Sequence, residues 1–271
     1  VTEPLAPVRV QRFPEGATVD DVVAVEEPLE MRVDGEPLAT LLRTPGDDLA
    51  LTAGFLLAEG IIDGADDLAA LAPCLDPAQG AVGNVVLVRL AAGVQVAAEG
   101  AAAARRRFLV ASSCGLCGKT TIDSLVVEAP PHDAPLTVSR GLLERVGGLA
   151  GRSQPLFAAS GGLHAAVLVG AAPPHASLAH AEDVGRHNAV DKVLGGLLLA
   201  DRLPPPPAVL WVSGRASFDL VQKALRARVR ALVCVGAPTS MAVELAQRAR
   251  VTLIGFARGG GRFNVYVGAV S

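Results

Sequence analysis

Two thiols spaced three residues apart, Cys114 and Cys117 in "SSCGLCGK", are the side chains in this sequence best suited to chemistry. Such a pair can supply part of a zinc site, close a disulfide, or present a reactive sulfur. A structural zinc needs four ligands, and one CxxC gives two. The other thiols, Cys74 and Cys234, stand alone, and the spacing of His164 and His187 does not complete a set, so no metal is expected. Cys234, inside "ALVCVG", reads as a small buried hydrophobe.

Redox chemistry and sulfur transfer fit the pair better. A thioredoxin-like thiol opens a helix after a strand, and "RRRFLVASSCGLCGKTTIDSLV" follows that order, although the chain is far longer than that fold. A sulfur carrier needs an exposed thiolate on an adaptable loop, near positive charge. Ser112, Ser113, Gly115, Gly118 and Lys119 supply those properties, and a second thiol can resolve or relay a persulfide. The local residues favour a reactive cysteine over a metal and leave these two chemistries open.

Composition narrows the setting. The 271 residues are half apolar but only 3% aromatic, so the interior must be built from Ala, Val and Leu. No apolar run reaches the ~20 residues of a membrane helix, and no charged-then-apolar leader opens the chain. Four cysteines do not make a disulfide framework, which points to a reducing, cytoplasmic setting. A net charge of −3 argues against nucleic-acid binding. The cations are 21 Arg against 3 Lys, and Arg is the better fork for phosphate and carboxylate oxygens.

The elements that must position these groups follow from patterning. "PLEMRVDGEPLATLL" places Asp34-Gly35 between alternating segments, a hairpin signal. "RTPGDDLALTAGFLLAEGII" reads as a turn and a helix capped by Asp47 or Asp48 and stopped at Gly60. "GNVVLVRLAAGVQVAAE" reads as a strand pair, and Arg105 to Arg107 as a solvated strand edge. Beyond residue 136, apolar strands ("GGLHAAVLVG", "AVLWVSG", "ALVCVG", "VTLIGFA") alternate with helices, which predicts a sheet covered on both faces. The expected organisation is a strand-rich N-terminal lobe, residues 1–135, ending in the CxxC loop, and an α/β/α sandwich over 136–271. "VSGRASFDL" sets a Gly-Arg turn between strand and helix, where such sheets bind ligands. His187 and Asp191, four apart on one helix, predict a hydrogen-bonded pair, and His164 is either a pocket or a core residue.

Several segments together resemble the formate dehydrogenase accessory sulfurtransferase family of the FdhD type. They are "EEPLEMRVDGEPLATLLRTPGDDLALTAGFLLAEGII", "SSCGLCGK", "GGLHAAVL", "EDVGRHNAVDKVLG", "SGRASFDLVQKA", "PTSMAVELA" and "GFARGGGRFNVY". The resemblance implies a cytidine-deaminase-like fold, a homodimer, and a cytoplasmic carrier that takes sulfur from a cysteine desulfurase. It implies delivery of that sulfur to the bis-guanine-dinucleotide molybdenum cofactor before insertion into formate dehydrogenase. Cys114 matches the persulfide-forming cysteine and Cys117 its partner. Phe256, Ala257, Arg258, Gly259, Gly260, Gly261 and Arg262 match the cofactor-contacting stretch. The cofactor's pyrophosphates add Arg215 and Arg186 as candidates. Deaminase chemistry itself is not expected, because His164 is followed by Ala165 and Ala166 rather than the required carboxylate. A chaperone that binds the cofactor without moving sulfur is the alternative.

Overall fold

The computed structural model describes residues 2–76, 78, 82–94 and 129–271, together with the backbone of Leu109–Val110. Cys114, Cys117, Arg105 to Arg107 and most of the second strand expected in "GNVVLVRLAAGVQVAAE" lie outside those residues.

The N-terminal part is strand-rich. β1 (Leu5–Arg12) and β2 (Ala17–Ala24) form an antiparallel ribbon. β3 (Glu27–Val33) and β4 (Glu36–Arg43) make the hairpin expected at Asp34-Gly35. Both turn residues have positive φ, 50° and 89°, as a two-residue hairpin turn that follows the strand twist demands. With β5 (Leu68–Pro73), β6 (Val85–Leu90) and β7 (Leu109–Val110) they build a sheet of order β5-β6-β3-β4-β7. Helix α1 (Asp48–Ala58) leaves β4 through the "RTPGDD" turn. The expected side-chain cap is not made there: Asp47 occupies the cap position in a left-handed conformation without a capping bond. The Asp48 carboxylate instead accepts from Arg43 Nε at 2.8 Å and Nη2 at 3.0 Å. Arg43 is itself buried, so the stronger, two-pronged ion pair outcompetes the cap.

The remainder is α2 (Arg140–Gly151), α3 (Pro155–Ser160), β8 (His164–Gly170), β9 (Ser177–Asp183), α4 (Arg186–Leu199), β10 (Ala208–Val212), α5 (Phe218–Arg226), β11 (Ala231–Cys234), α6 (Ser240–Ala249), β12 (Thr252–Gly255) and β13 (Asn264–Val267). Its strands form one mixed six-stranded sheet of order β13-β12-β11-β10-β8-β9. β10, β11 and β12 are parallel, whereas β8, β9 and β13 run antiparallel to the strands they pair with.

Period-two alternation sorts this sheet's side chains onto two faces. Leu168, Leu210 and Val212 join a cluster containing Val190 and Leu194 of α4, Leu220 and Leu225 of α5, and Leu245 of α6. The same cluster takes in Leu51 and Leu56 of α1 and Leu29, Met31 and Val86 of the five-stranded sheet. Val167, Val209, Trp211 and Ile254 instead meet Leu142 and Val146 of α2.

Helices α1 and α4 cross with almost no gap. A Cβ on Gly54 would collide with the Asp191 carbonyl oxygen, and one on Gly195 with that of Ala50. Polar ties reinforce the crossing. The fully buried Asp183 carboxylate binds Lys192 Nζ at 2.8 Å and accepts from Thr44 N, Gly185 N and Asn188 Nδ2. Asn188 Nδ2 also donates to Leu42 O and Lys192 Nζ to Thr44 O, both at 2.8 Å. The end of β4 is thereby fastened to the turn between β9 and α4.

Candidate functional site

β9, β10, β11 and β12 run the same way, and the turns that follow them form one edge of the sheet. Ser213 to Ser217 lead from β10 into α5, and Val235 to Thr239 from β11 into α6. Backbone bonds join neighbouring turns: Gly236 N donates to Gly214 O at 2.9 Å, and Phe256 N to Gly236 O at 3.1 Å.

Three arginines are laid across these turns. Arg186, the first residue of α4, runs over Gly214, where a Cβ would come within 3.0 Å of Arg186 Cδ. Arg215 lies against Gly236, where a Cβ would come within 2.8 Å of Arg215 Cγ. Arg258 Nε donates to Val235 O at 3.3 Å, and its guanidinium carbon stands 5.9 Å from the centre of the exposed Phe256 ring. The glycines of adjacent turns thus let arginine stems lie flat on the backbone. Phe256 has φ 58°, a left-handed conformation costly for an aromatic residue and often kept at ligand sites. Ala257 is buried beneath it. Gly259 and Gly261 turn back onto α2, beside Gly147 and Glu144. Arg262 follows that turn as an exposed side chain, and the contacts that string the other three arginines together do not include it.

Two histidine–serine pairs accompany the arginines. His164 Nδ1 lies 3.1 Å from Ser213 Oγ, which also accepts from Ala165 N at 3.0 Å. Burial, then the charge of Arg186, hold His164 below the ordinary imidazole value, so the ring is neutral at physiological pH. His187 Nε2 lies 3.2 Å from Ser217 Oγ and 3.9 Å from the Asp219 carboxylate. Asp191, expected to pair with His187, instead receives Lys223 Nζ at 2.7 and 2.8 Å. Ser213 and Ser217 were not evident as site residues from sequence. Their only signal was their position flanking the Gly-Arg turn of "SGRAS".

An edge with three guanidiniums, backbone-lined turns and the neutral imidazole of His164 is chemically suited to a polyanion, and phosphate groups match both the forks and the glycine cradle. Among the described residues, no cluster of three or more His, Cys, Asp or Glu is arranged to hold a metal ion. No described helix is long and apolar enough to cross a membrane. Cys234, at the end of β11, is fully buried, its Sγ lies 3.2 Å from Ile254 O, and burial pushes its thiol up to about 12. It is a packing residue.

The residues that form this edge fall within a known family pattern: the sequence model of the FdhD/NarQ family matches residues 24–270. The chain belongs to the FdhD/NarQ family. It is 50% identical over 257 residues to the sulfur carrier protein FdhD of Anaeromyxobacter dehalogenans, covering 93% of this chain and 88% of the relative. It is 44% identical over 259 residues to that of Mycobacterium tuberculosis, covering 93% and 92%. A crystal structure from Desulfotalea psychrophila, described as a formate dehydrogenase accessory protein, superposes with a TM-score of 0.71. That match has 25% identity and covers 97% of this chain and 96% of the other. Within this FdhD/NarQ member, Arg186, Arg215 and Arg258 meet at one sheet edge, whereas Cys114 and Cys117 lie outside the described residues.

Proposed function

We propose that this chain is a cytoplasmic, homodimeric sulfur carrier for formate dehydrogenase maturation, built on a sandwich of the cytidine-deaminase type. The observation that carries the reading is the row of Arg186, Arg215 and Arg258 across glycine-floored turns, in a family whose relatives are sulfur carriers. In the first step the Cys114 thiolate attacks the outer sulfur of a cysteine desulfurase persulfide, and the desulfurase thiolate leaves. Cys114 then bears the persulfide. Attack of the Cys117 thiolate on the inner sulfur forms a Cys114–Cys117 disulfide and releases hydrosulfide next to the acceptor.

The acceptor in this reading is the molybdenum cofactor in its bis-guanine-dinucleotide form, which supplies the metal site that takes the sulfur. Arg186, Arg215 and Arg258, with the Phe256 to Arg262 stretch, would hold its pyrophosphates. The neutral His164 ring, braced by Ser213, would be available to accept a proton there, becoming the imidazolium as it does so. Supporting access, β7 pairs in parallel with β4 and ends at Val110, four positions before Cys114. Four residues span at most ~14 Å, and β4 ends at Arg43, followed by Thr44, which bonds the turn leading into Arg186.

Intact mass after incubation with a desulfurase and cysteine tests the carrier step. One added sulfur atom, removable by reductant and missing in Cys114→Ala, is expected. If no sulfur is added, or Cys114→Ala still matures formate dehydrogenase fully while Arg258→Ala does not, the protein is a cofactor chaperone instead.

A further inference from the structure

Ser213, just past β10, is tied to β8 through both its backbone and its side chain. Its N–H donates to Ala165 O at 3.0 Å, and its Oγ accepts from Ala165 N at 3.0 Å. The hydroxyl is thereby held at one place beside His164, whose Nδ1 lies 3.1 Å from the same Oγ.

The supply of donors and acceptors decides how that contact is made. A serine hydroxyl has one proton to give and two lone pairs with which to receive. One lone pair takes the Ala165 N–H. Among the described residues, the one acceptor within reach of the hydroxyl proton is His164 Nδ1. The arrangement that satisfies every group is Ser213 O–H donating to Nδ1, which puts the ring's own proton on Nε2. In the reverse arrangement Nδ1–H and Ala165 N–H would both point into Oγ, and the hydroxyl proton would have no protein acceptor.

Nε2 is the nitrogen able to meet a ligand. His164 is half-buried, and its Nε2 has no hydrogen-bond partner among the described residues yet is not closed off from solvent. Gly214, next to Ser213, carries the stem of Arg186, whose Cδ stands 3.0 Å from where a Cβ on that glycine would be. Burial first and the Arg186 charge second depress the basicity of the ring, against an opposite pull from Asp183. A neutral ring adds a hydrogen bond at this edge without a fourth charge to repel the arginines.

We propose that Ser213 is a positioning residue that holds His164 as its Nε2–H tautomer, so that the ring gives a neutral N–H to an anionic phosphate oxygen bound beside Arg186. This rests on the reading of the edge as a pyrophosphate site and adds to it a donor that carries no charge. A proton accepted by the ring enters at Nδ1, on the Ser213 side, and Nδ1–H then donates to the turned hydroxyl. The Nε2 side remains a donor in both states.

Nitrogen NMR of the full chain with isotopically labelled histidine reads the tautomer directly, and His164→Gln identifies the signal among the five histidines by its loss. In the wild type, His164 should carry its proton on Nε2 and accept a hydrogen bond at Nδ1. Ser213→Thr, which keeps the hydroxyl, should preserve that signature, and Ser213→Ala should lose the bond at Nδ1. Calorimetry with inorganic pyrophosphate at pH 8 gives the second readout. His164→Ala should weaken binding at least about ten-fold and Ser213→Ala about three-fold, whereas Ser213→Thr should match the wild type. Should Ser213→Ala fold poorly, the wild-type tautomer still decides. A proton found on Nδ1, or pyrophosphate binding that needs Arg258 but is unchanged in His164→Ala, overturns the proposal and leaves the pyrophosphate reading in place. Absence of pyrophosphate binding overturns both.

Discussion

Asp191 and Lys223 form an ion pair with both side chains almost wholly removed from solvent. Lys223→Met takes away the counter-charge and strands the buried carboxylate, so urea unfolding at pH 7 should show a loss of about 3–5 kcal/mol. Burial lifts Asp191 from 3.8 to about 6 against the attraction of Lys223. A raised carboxyl contributes stability that is full below its unfolded value and lost as pH rises through the folded one. The difference between wild-type and Asp191→Asn stability should therefore slope downward from about pH 4 to pH 6; a flat difference would sink that assignment. Thiol mapping offers a second check. Native protein treated with a maleimide at pH 8 should leave Cys234 unmodified until denaturant is added, because the thiol is buried and not ionised. Residue types in the motifs were legible from sequence, but their partners were not. Helical spacing placed Asp191 beside His187, whereas the buried ammonium on α5, 32 positions later, was the stronger claimant.

At the scale of elements, legibility followed local signals. Asp34-Gly35 announced its hairpin because the turn's backbone demands those residues. β9 and β13 were not foreseen. "SLAHAED" has no β-branched residue, and "NVYV" follows a glycine run that masks it. Both sit at the ends of the six-stranded sheet, where pairing with one neighbour is enough. The crossing of α1 and α4 was equally silent, since Gly54 and Gly195 serve no turn and acquire meaning only when the helices meet. Gly195→Ala should force the helices apart and lower stability by about 3 kcal/mol. The exposed-face control Gly148→Ala, where a Cβ meets nothing within 4 Å, should be neutral or stabilising. Denaturant midpoints compare the two directly.

For the whole molecule, the larger hydrophobic cluster runs from the five-stranded sheet through α1 and α4 to the six-stranded sheet. Such continuity predicts one cooperative transition. Fluorescence of the single Trp211, in β10, and far-UV ellipticity should trace the same denaturation curve; separated midpoints would show that the two sheets unfold independently. The strand–helix alternation revealed the covered sheet, yet the meeting of Arg186, Arg215 and Arg258 depends on strand order, which sequence alone did not supply. α4 links the remote and the local here: Arg186 opens it, and Gly195 grips α1 nine residues later, ~13 Å along the axis. How far that guanidinium reaches over the sheet is thus set by a missing methyl group two and a half turns away. Drift toward bulk at position 195 would shift the guanidinium proposed to hold the cofactor's pyrophosphates without altering any residue at that edge.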